Sequence, residues 1–101
     1  MLRVNLVEET PDVVLSLAGE LDMMTGEVLK EAIDGLDLDR IRSLTFSLGG
    51  LSFIDSTGVG QLLGYYKRCV ARKIWFHIEN DNPDIEEILE LIGIREVIKT
   101  Q

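Results

Sequence analysis

The sequence predicts one α/β domain with a mostly parallel sheet and elements in the order β-β-α-β-α-β-α-β along its 101 residues. Three observations lead to this fold class. From the second strand onward, strand patterns alternate with helical patterns, which favours right-handed crossovers between parallel strands. A short turn joins the first two strands, so we expect them to pair antiparallel. The first, third and fourth strands alternate apolar with other residues, which indicates helices mainly on one face of the sheet.

The first half of the chain predicts two strands and a helix. Residues 2–8 alternate apolar and polar side chains, as in a half-buried strand. A turn over residues 9–12 leads into residues 13–18, which are apolar on both sides apart from one serine and fit a central strand that closes over residues 19–22. A helix follows, with Thr25 as its N-cap, and ends near Asp37. Its expected inner face consists of Val28, Leu29, Ala32, Ile33 and Leu36.

The second half predicts two more helices and three strands. Apolar residues alternate with Ser and Thr over residues 43–48, which predicts a strand, followed by a glycine pair and a short apolar loop. The next helix has apolar residues at positions 59, 62, 63, 66 and 70, and residues 74–78 predict the fourth strand. Asn82 and Pro83 indicate the start of a third helix, Gly93 its end, and residues 96–99 a last short strand. The third helix is expected to bury Ile85, Ile88, Leu89 and Ile92.

Charge and composition limit the function classes. A net charge of −8 argues against nucleic acid as a partner, since neutralising phosphates needs clustered Lys and Arg. No apolar run of membrane-spanning length and no signal-peptide pattern occurs, so we expect a cytoplasmic protein without a membrane partner. Cys69 is the sole cysteine and His77 the sole histidine, so we expect no internal disulfide, no metal and no cofactor. We expect His77 to be structural or solvent-facing, Cys69 to fill a helix flank and Trp75 to pack on a sheet face.

The candidate functional site is the segment Asp55-Ser56-Thr57 in front of the second helix. Side-chain oxygens of these residue types cap helix starts, so Ser56 should lie near the helix N-terminus. Exposed N–H groups and the positive end of the helix dipole suit a phosphate that is either bound or covalently attached there. A helix cap with no further role is the alternative. Glycines at positions 58, 60 and 64 favour a function, because each costs the helix roughly 1 kcal/mol relative to Ala and a cap does not need them.

One side of this helix is predicted to be flat near Ser56 and basic further along. At about 100° per residue, Gly60, Gly64, Lys67 and Arg68 fall opposite the apolar side. A glycine surface admits close approach of another backbone. Glycines that fit the helix against the sheet are the alternative, which applies more to Gly58 than to the other two.

Three segments carry a family resemblance: Gly19-Glu20-Leu21-Asp22 with Thr25, Leu51-Ser52-Phe53-Ile54-Asp55-Ser56-Thr57-Gly58-Val59-Gly60, and Leu63-Gly64-Tyr65-Tyr66-Lys67. With their spacing kept, they resemble the bacterial anti-sigma factor antagonists, which are small single-domain members of the STAS group, and in particular the sporulation type. The resemblance runs from the first strand to about Ile98. It implies a single STAS domain over residues 1–101.

The resemblance also implies a mechanism of partner switching. In that family the unmodified protein binds an anti-sigma factor that is itself a serine kinase, and the captive sigma factor is released. The kinase then phosphorylates the antagonist, and a serine phosphatase restores it. Carried onto this chain, this implies a regulatory binding protein and not an enzyme, with Ser56 as the phosphorylation site and Thr57 as the alternative acceptor. The implied partner-binding residues are Asp22, Asp55, Thr57, Gly58, Gly60, Gln61, Gly64, Lys67 and Arg68.

The chain departs from the family in two places. Thr57 stands where sporulation-type members often have a second Ser. The sequence ends at Gln101, where family members usually continue into another helix. We expect a monomer, with a dimer or a missing C-terminal helix as alternatives.

Other function classes fit the residues less well. A serine hydrolase would need a Gly-x-Ser-x-Gly elbow and a nearby base, and the sole histidine is remote in sequence. A nucleotide-binding module is an alternative, since a strand, a glycine-rich loop and a helix follow one another, but no Gly-Lys-Ser/Thr phosphate loop is present. A stress-response or transporter-associated STAS module that does not act on a sigma factor is another. The sequence does not decide between sporulation and general stress, and it does not identify the kinase.

Overall fold

A four-stranded sheet forms the centre of the computed structural model, which describes residues 1–98. The strands are β1 (Leu2–Glu8), β2 (Asp12–Leu21), β3 (Ser43–Ile54) and β4 (Trp75–Glu79), and they lie in this order across the sheet. β1 pairs antiparallel with β2, whereas β3 and β4 extend the sheet in parallel. The predicted fold class, a mostly parallel sheet with an antiparallel first strand, is confirmed.

Four helices accompany the sheet in the described range: α1 (Gly26–Asp34), α2 (Ser56–Ala71), α3 (Pro83–Ile92) and α4 (Ile94–Ile98). A short 3-10 turn, Leu38–Arg40, precedes β3. Local signals explain α3 well. The Asn82 side chain accepts a hydrogen bond from the Asp84 N–H at 3.0 Å, Pro83 occupies the first position, and Gly93 ends the helix with a φ of 82°. The predicted start and end of this helix are confirmed.

β3 is longer than the sequence predicts, whereas β2 ends where it is predicted to close. β3 continues past Gly50 to Ile54, so the apolar loop predicted there is wrong. β2 ends at Leu21, within residues 19–22, and it pairs with the added part of β3 as far as Leu21 opposite Ile54. Close approach of the two backbones explains the glycine at position 50 of β3. A Cβ at position 50 would lie 2.9 Å from the Leu17 carbonyl oxygen.

The last strand predicted over residues 96–99 is wrong for the part that is described. Residues 94–98 form α4 instead, and Lys99 lies outside the described residues. The left-handed conformation of Gly93 turns the chain directly from α3 into α4, and Ile94 becomes fully buried. No fifth strand pairs with β4 in residues 1–98, and a side chain of α4 contacts β4 instead. The Arg95 guanidinium donates a hydrogen bond to the Ile78 carbonyl at 2.7 Å.

Two helices differ from the prediction in detail. α1 ends at Asp34 and not near Asp37, because Gly35, a poor helix former, follows as its C-cap. In α2 the Tyr65 ring turns inward and packs on an aromatic ring of β3, although position 65 is not among the predicted apolar positions. Tyr66, which is among them, packs on an aromatic ring of β4 as expected. Three residues predicted to face the core are exposed instead: Val28, Val70 and Ile92.

The helices cover one face of the sheet and leave the other face uncovered, as predicted. In β4, Phe76 and Ile78 are buried against the helices, whereas Trp75, His77 and Glu79 are exposed. His77 therefore faces solvent, in agreement with the prediction. Trp75 lies on the uncovered face and is 55% exposed, so its predicted packing role is wrong.

Candidate functional site

Ser56 is the first residue of α2 and lies exposed at the sheet edge where β2 and β3 end. Asp55 precedes it in an extended conformation, and its carboxylate accepts a hydrogen bond from the Gly58 N–H at 2.8 Å. Asp55 is therefore the side-chain N-cap of α2. Thr57 is also exposed, so both hydroxyl residues singled out in the sequence lie at the surface.

The N-terminus of α2 offers hydrogen-bond donors to an anion. The first N–H groups of any α-helix have no partner within the helix. Asp55 accepts from the Gly58 N–H through its carboxylate and from the Val59 N–H through its carbonyl at 3.0 Å. Within residues 1–98 the N–H groups of Ser56 and Thr57 have no such acceptor, which leaves them for solvent or a ligand. Aligned peptide dipoles add roughly half a positive charge at this end of α2.

The loop between β2 and α1 begins next to this helix start. The Asp55 N–H donates a hydrogen bond to the Leu21 carbonyl at 3.3 Å. Asp22 therefore leaves β2 at the same sheet edge where Ser56 follows β3, as expected for neighbouring strands. The Asp22 carboxylate is engaged within the loop, where it accepts from a backbone N–H two residues further on at 2.9 Å.

Two other side chains fix this loop. Thr25 precedes α1 as predicted, but its hydroxyl does not cap the helix. It accepts a hydrogen bond from the Asp22 N–H at 3.0 Å and so closes the loop on itself. From α2, the Gln61 amide donates to the Gly26 carbonyl at 2.8 Å and to the Tyr65 hydroxyl at 3.1 Å. Gln61, one of the implied partner contacts, is half-buried and bonded internally.

The glycines of α2 are of two kinds. A Cβ at Gly58 would lie 2.5 Å from the Leu21 carbonyl oxygen, so Gly58 fits α2 closely against β2. It is buried, and the packing alternative applies to it. A Cβ at Gly60 or Gly64 would meet nothing within 4 Å, and both residues are exposed. Packing does not explain these two glycines.

Basic side chains continue the exposed surface beyond the glycines. Lys67 and Arg68 are exposed, and neither forms an ion pair with any residue in the range 1–98. The Arg68 guanidinium lies over the Tyr65 ring, 5.8 Å from its centroid, in a cation–π contact. Together, Gly60, Gly64, Lys67 and Arg68 form a surface that we call the α2 face. The α2 face is therefore cationic although the whole chain has a net charge of −8. It lies on the same helix as the N-terminus that suits a phosphate.

Three exposed apolar side chains near Ser56 are not found by the sequence analysis. Met23 and Met24 in the loop after β2 are 73% and 83% exposed, and Phe53 near the end of β3 is 45% exposed. Their exposure makes them candidates for contact with a protein partner. Two consecutive methionines within a polar turn are the sequence signal that points to them.

Other chemistry in the described range is limited. Residues 1–98 contain no cluster of His, Cys, Asp and Glu that could hold a metal ion. Burial raises the pKa of Cys69 to about 11, so its thiol is mostly protonated at neutral pH and poorly reactive. None of the helices in this range has the length and apolarity needed to cross a membrane.

Comparison with known proteins agrees with this fold. The STAS domain family model matches residues 3–101. The anti-sigma-B factor antagonist of Bacillus subtilis (strain 168) is 25% identical over 97 residues, which cover 96% of this chain and 88% of that protein. A crystal structure of an anti-sigma factor antagonist from Mycobacterium paratuberculosis superposes with a TM-score of 0.83 at 23% identity, covering 96% of this chain and 82% of that one. The structure of the Bacillus cell fate determinant SpoIIAA in its phosphorylated form superposes with a TM-score of 0.67 at 24% identity, covering 95% and 86%. The chain described here belongs to the STAS domain family.

Proposed function

We propose that this chain is an anti-sigma factor antagonist that works by partner switching. In its unphosphorylated form it binds an anti-sigma factor that is also a serine kinase, and the sigma factor held by that kinase is released. Phosphorylation of Ser56 ends this binding, and a serine phosphatase restores it. Similarity over nearly the whole chain to proteins named anti-sigma factor antagonists supports the proposal.

The single observation that carries the proposal is the position of Ser56. Ser56 is exposed at the first position of a sixteen-residue helix, where the first N–H groups have no partner within the helix. A kinase needs an accessible hydroxyl, and the modified protein needs a place where a phosphate does not disturb the fold. The N-terminus of α2 meets both requirements. The structural relative SpoIIAA has itself been solved in a phosphorylated form.

Magnitudes explain how one phosphate would act as a switch. It adds a charge of about −1.5 to −2 and three strong acceptors. At the start of α2 the helix dipole favours this charge by roughly 0.3–1 kcal/mol, so the fold is retained. At a protein interface the same group would lose its water, and a buried charge without a partner costs several kcal/mol. Since about 1.4 kcal/mol corresponds to tenfold in affinity, phosphorylation would weaken partner binding by roughly a hundredfold or more.

The proposed docking surface combines the helix start with the α2 face. The exposed glycines at positions 60 and 64 permit close contact, and Lys67 and Arg68 are available for acidic groups on the partner. Met23 and Met24 add apolar contact area from the loop after β2. A phosphate at Ser56 would lie within this surface and place a dianion there.

The proposed role is binding and not catalysis by this chain. His77 lies opposite Thr45 in the sheet, nine positions before the end of β3 at Ile54. At roughly 3.3 Å per residue, it is about 30 Å from Ser56 along the strand direction. A serine hydrolase needs its imidazole within hydrogen-bond distance of the nucleophile, so these two residues do not form such a pair.

The proposal is tested by incubating the chain with candidate anti-sigma factor kinases and ATP and mapping the modified residue by mass spectrometry. We expect phosphate on Ser56, no incorporation in Ser56→Ala, and normal incorporation in Thr57→Ala as the matched control. Ser56→Ala should still bind the kinase. If Thr57→Ala is not modified and Ser56→Ala still is, Thr57 is the acceptor and not Ser56. If no kinase that binds the chain modifies it, the proposal is contradicted.

A further inference from the structure

Gln61 links two segments that lie far apart in sequence. Its amide nitrogen donates to the carbonyl of Gly26, the first residue of α1, across 35 positions. The fit is close on both sides of this contact. A Cβ at position 26 would have the Gln61 Oε1 atom 3.0 Å away, and all three of its nearest neighbours would be atoms of the Gln61 side chain. A methyl group at position 26 would require the end of the Gln61 side chain to move by a few tenths of an ångström.

The loop between these two segments is already ordered by its own hydrogen bonds. The Asp22 carboxylate binds the Met24 N–H, and the Thr25 hydroxyl accepts from the Asp22 N–H and donates to the Glu20 carbonyl at 2.9 Å. These bonds define the shape of the loop but not its position relative to α2. Within residues 1–98, the hydrogen bond from the Gln61 amide to the Gly26 carbonyl joins the α1 end of the loop to a side chain of α2.

We infer that Gln61 is a positioning residue, which holds the loop of residues 22–25 against the start of α2 so that the loop and Ser56 meet the partner as one surface. The inference rests on the proposed function for its link to binding, whereas the placement of the loop can be measured on the isolated chain. Gln61 acts through Gly26 and is half-buried, so it supports the docking surface from beneath and is not itself a main contact. A loop ordered before binding loses less conformational entropy in the complex, which raises affinity.

Amide hydrogen exchange on the isolated chain tests the placement. The informative amides are Thr25, which donates to the Asp22 carbonyl at 3.3 Å, and Val28, which donates to the Thr25 carbonyl at 3.0 Å. In Gln61→Ala we expect both to exchange at least about fivefold faster, with the amides of β3 unchanged. Tyr65→Phe is the matched control, because it removes the second partner of the Gln61 amide but leaves the bond to Gly26. Unchanged exchange in Gln61→Ala would overturn the inference.

Affinity for the anti-sigma kinase that phosphorylates the wild-type chain tests the link to binding. We expect Gln61→Ala to weaken binding by roughly five- to twentyfold and Tyr65→Phe to bind like wild type. Gly26→Ala should weaken binding less than Gln61→Ala does, because the Gln61 amide must move by only a few tenths of an ångström to accommodate the added methyl group. Combined with Gln61→Ala, it should have no additional effect, since the atoms that it would meet are gone.

The two proposals fail in distinguishable ways. If wild type binds but Gln61→Ala binds equally well despite faster exchange, the positioning role is overturned and the proposed function stands. If Gly26→Ala and Gln61→Ala weaken binding additively, the two residues act independently and the inference is again overturned. If no anti-sigma kinase binds the wild-type chain, the proposed function fails and the exchange measurement alone decides whether Gln61 places the loop.

Discussion

Alanine substitutions at the three glycines of α2 should separate packing from docking. Inside a helix, replacing Gly by Ala normally stabilises by about 0.8–1 kcal/mol. Gly60→Ala and Gly64→Ala should realise this gain, since a Cβ meets nothing within 4 Å at either position. At Gly58 the added Cβ would lie 2.5 Å from the Leu21 carbonyl oxygen and 3.0 Å from Ile54 Cγ1. Overpacking against backbone costs about 1–3 kcal/mol, so once the helix gain is subtracted Gly58→Ala should be destabilised by up to about 2 kcal/mol overall.

Thermal unfolding followed by far-UV circular dichroism measures these differences. An unfolding entropy of about 2.1 cal/mol/K per residue gives roughly 0.2 kcal/mol/K for 101 residues. One kcal/mol therefore shifts Tm by about 5 °C. We expect Tm to rise by about 4–5 °C in Gly60→Ala and in Gly64→Ala, and to fall by up to about 10 °C in Gly58→Ala.

At the two exposed glycines, alanine should weaken partner binding although it stabilises the fold. Gly60→Ala and Gly64→Ala are expected to bind the anti-sigma kinase more weakly although they are more stable, because the new methyl groups stand on the α2 face. A Gly58→Ala variant that melts as high as Gly60→Ala would refute the close packing of α2 on β2. If Gly60→Ala is more stable and binds as tightly as wild type, position 60 does not belong to the docking surface.

Three further predictions concern other parts of the molecule. Hydrogen bonds from Arg95 lower the pKa of Glu86, so this pair stabilises the fold above about pH 4.5 and the contribution is lost as the pH falls through the lowered pKa. Glu86→Gln should unfold at lower urea concentration at neutral pH and lose less stability on acidification, and an unchanged pH dependence would contradict this. The pKa of Cys69, about 11, predicts that Ellman's reagent modifies the native protein at least roughly a hundredfold more slowly than the unfolded chain, so equal rates would show an accessible thiol. Met23→Ser combined with Met24→Ser should weaken kinase binding about tenfold with Tm within about 2 °C of wild type, and unchanged affinity would exclude the methionines from the interface.

Local signals in the sequence are sufficient to place most elements. Asn82, Pro83 and Gly93 mark the ends of α3 because capping and positive φ depend on residues that are neighbours in the chain. The same applies to Asp55 and Ser56 at the start of α2, where the predicted helix start is confirmed. The candidate phospho-acceptor could therefore be located from sequence alone.

Features that depend on distant residues could not be predicted in this way. Gly58 and Gly60 look alike in the sequence, and only the Leu21 carbonyl behind Gly58 gives the two glycines different roles. The bond from Gln61 to Gly26 crosses 35 positions and has no local signature. The apolar residues of the last described segment stand at positions 94, 97 and 98, which is helical spacing, so the strand predicted over residues 96–99 rests on a misread period.

The contacts that support α4 are long-range. Ile94 is fully buried, and Arg95 binds both the Ile78 carbonyl and the Glu86 carboxylate. Neither contact can be read from the spacing of apolar residues. Burial of one side chain and pairing of another therefore support the helical spacing of residues 94–98.

The most direct measurement of the central claim compares two forms of the same chain, unmodified and phosphorylated on Ser56, in their affinity for the anti-sigma kinase. Amide chemical shifts of both forms, recorded by NMR, report on the fold. We expect affinity to fall by roughly a hundredfold or more, with shift changes confined to the start of α2 and the neighbouring loop. Equal affinity of the two forms, or shift changes throughout the sheet, would contradict a switch that alters the docking surface and leaves the architecture intact.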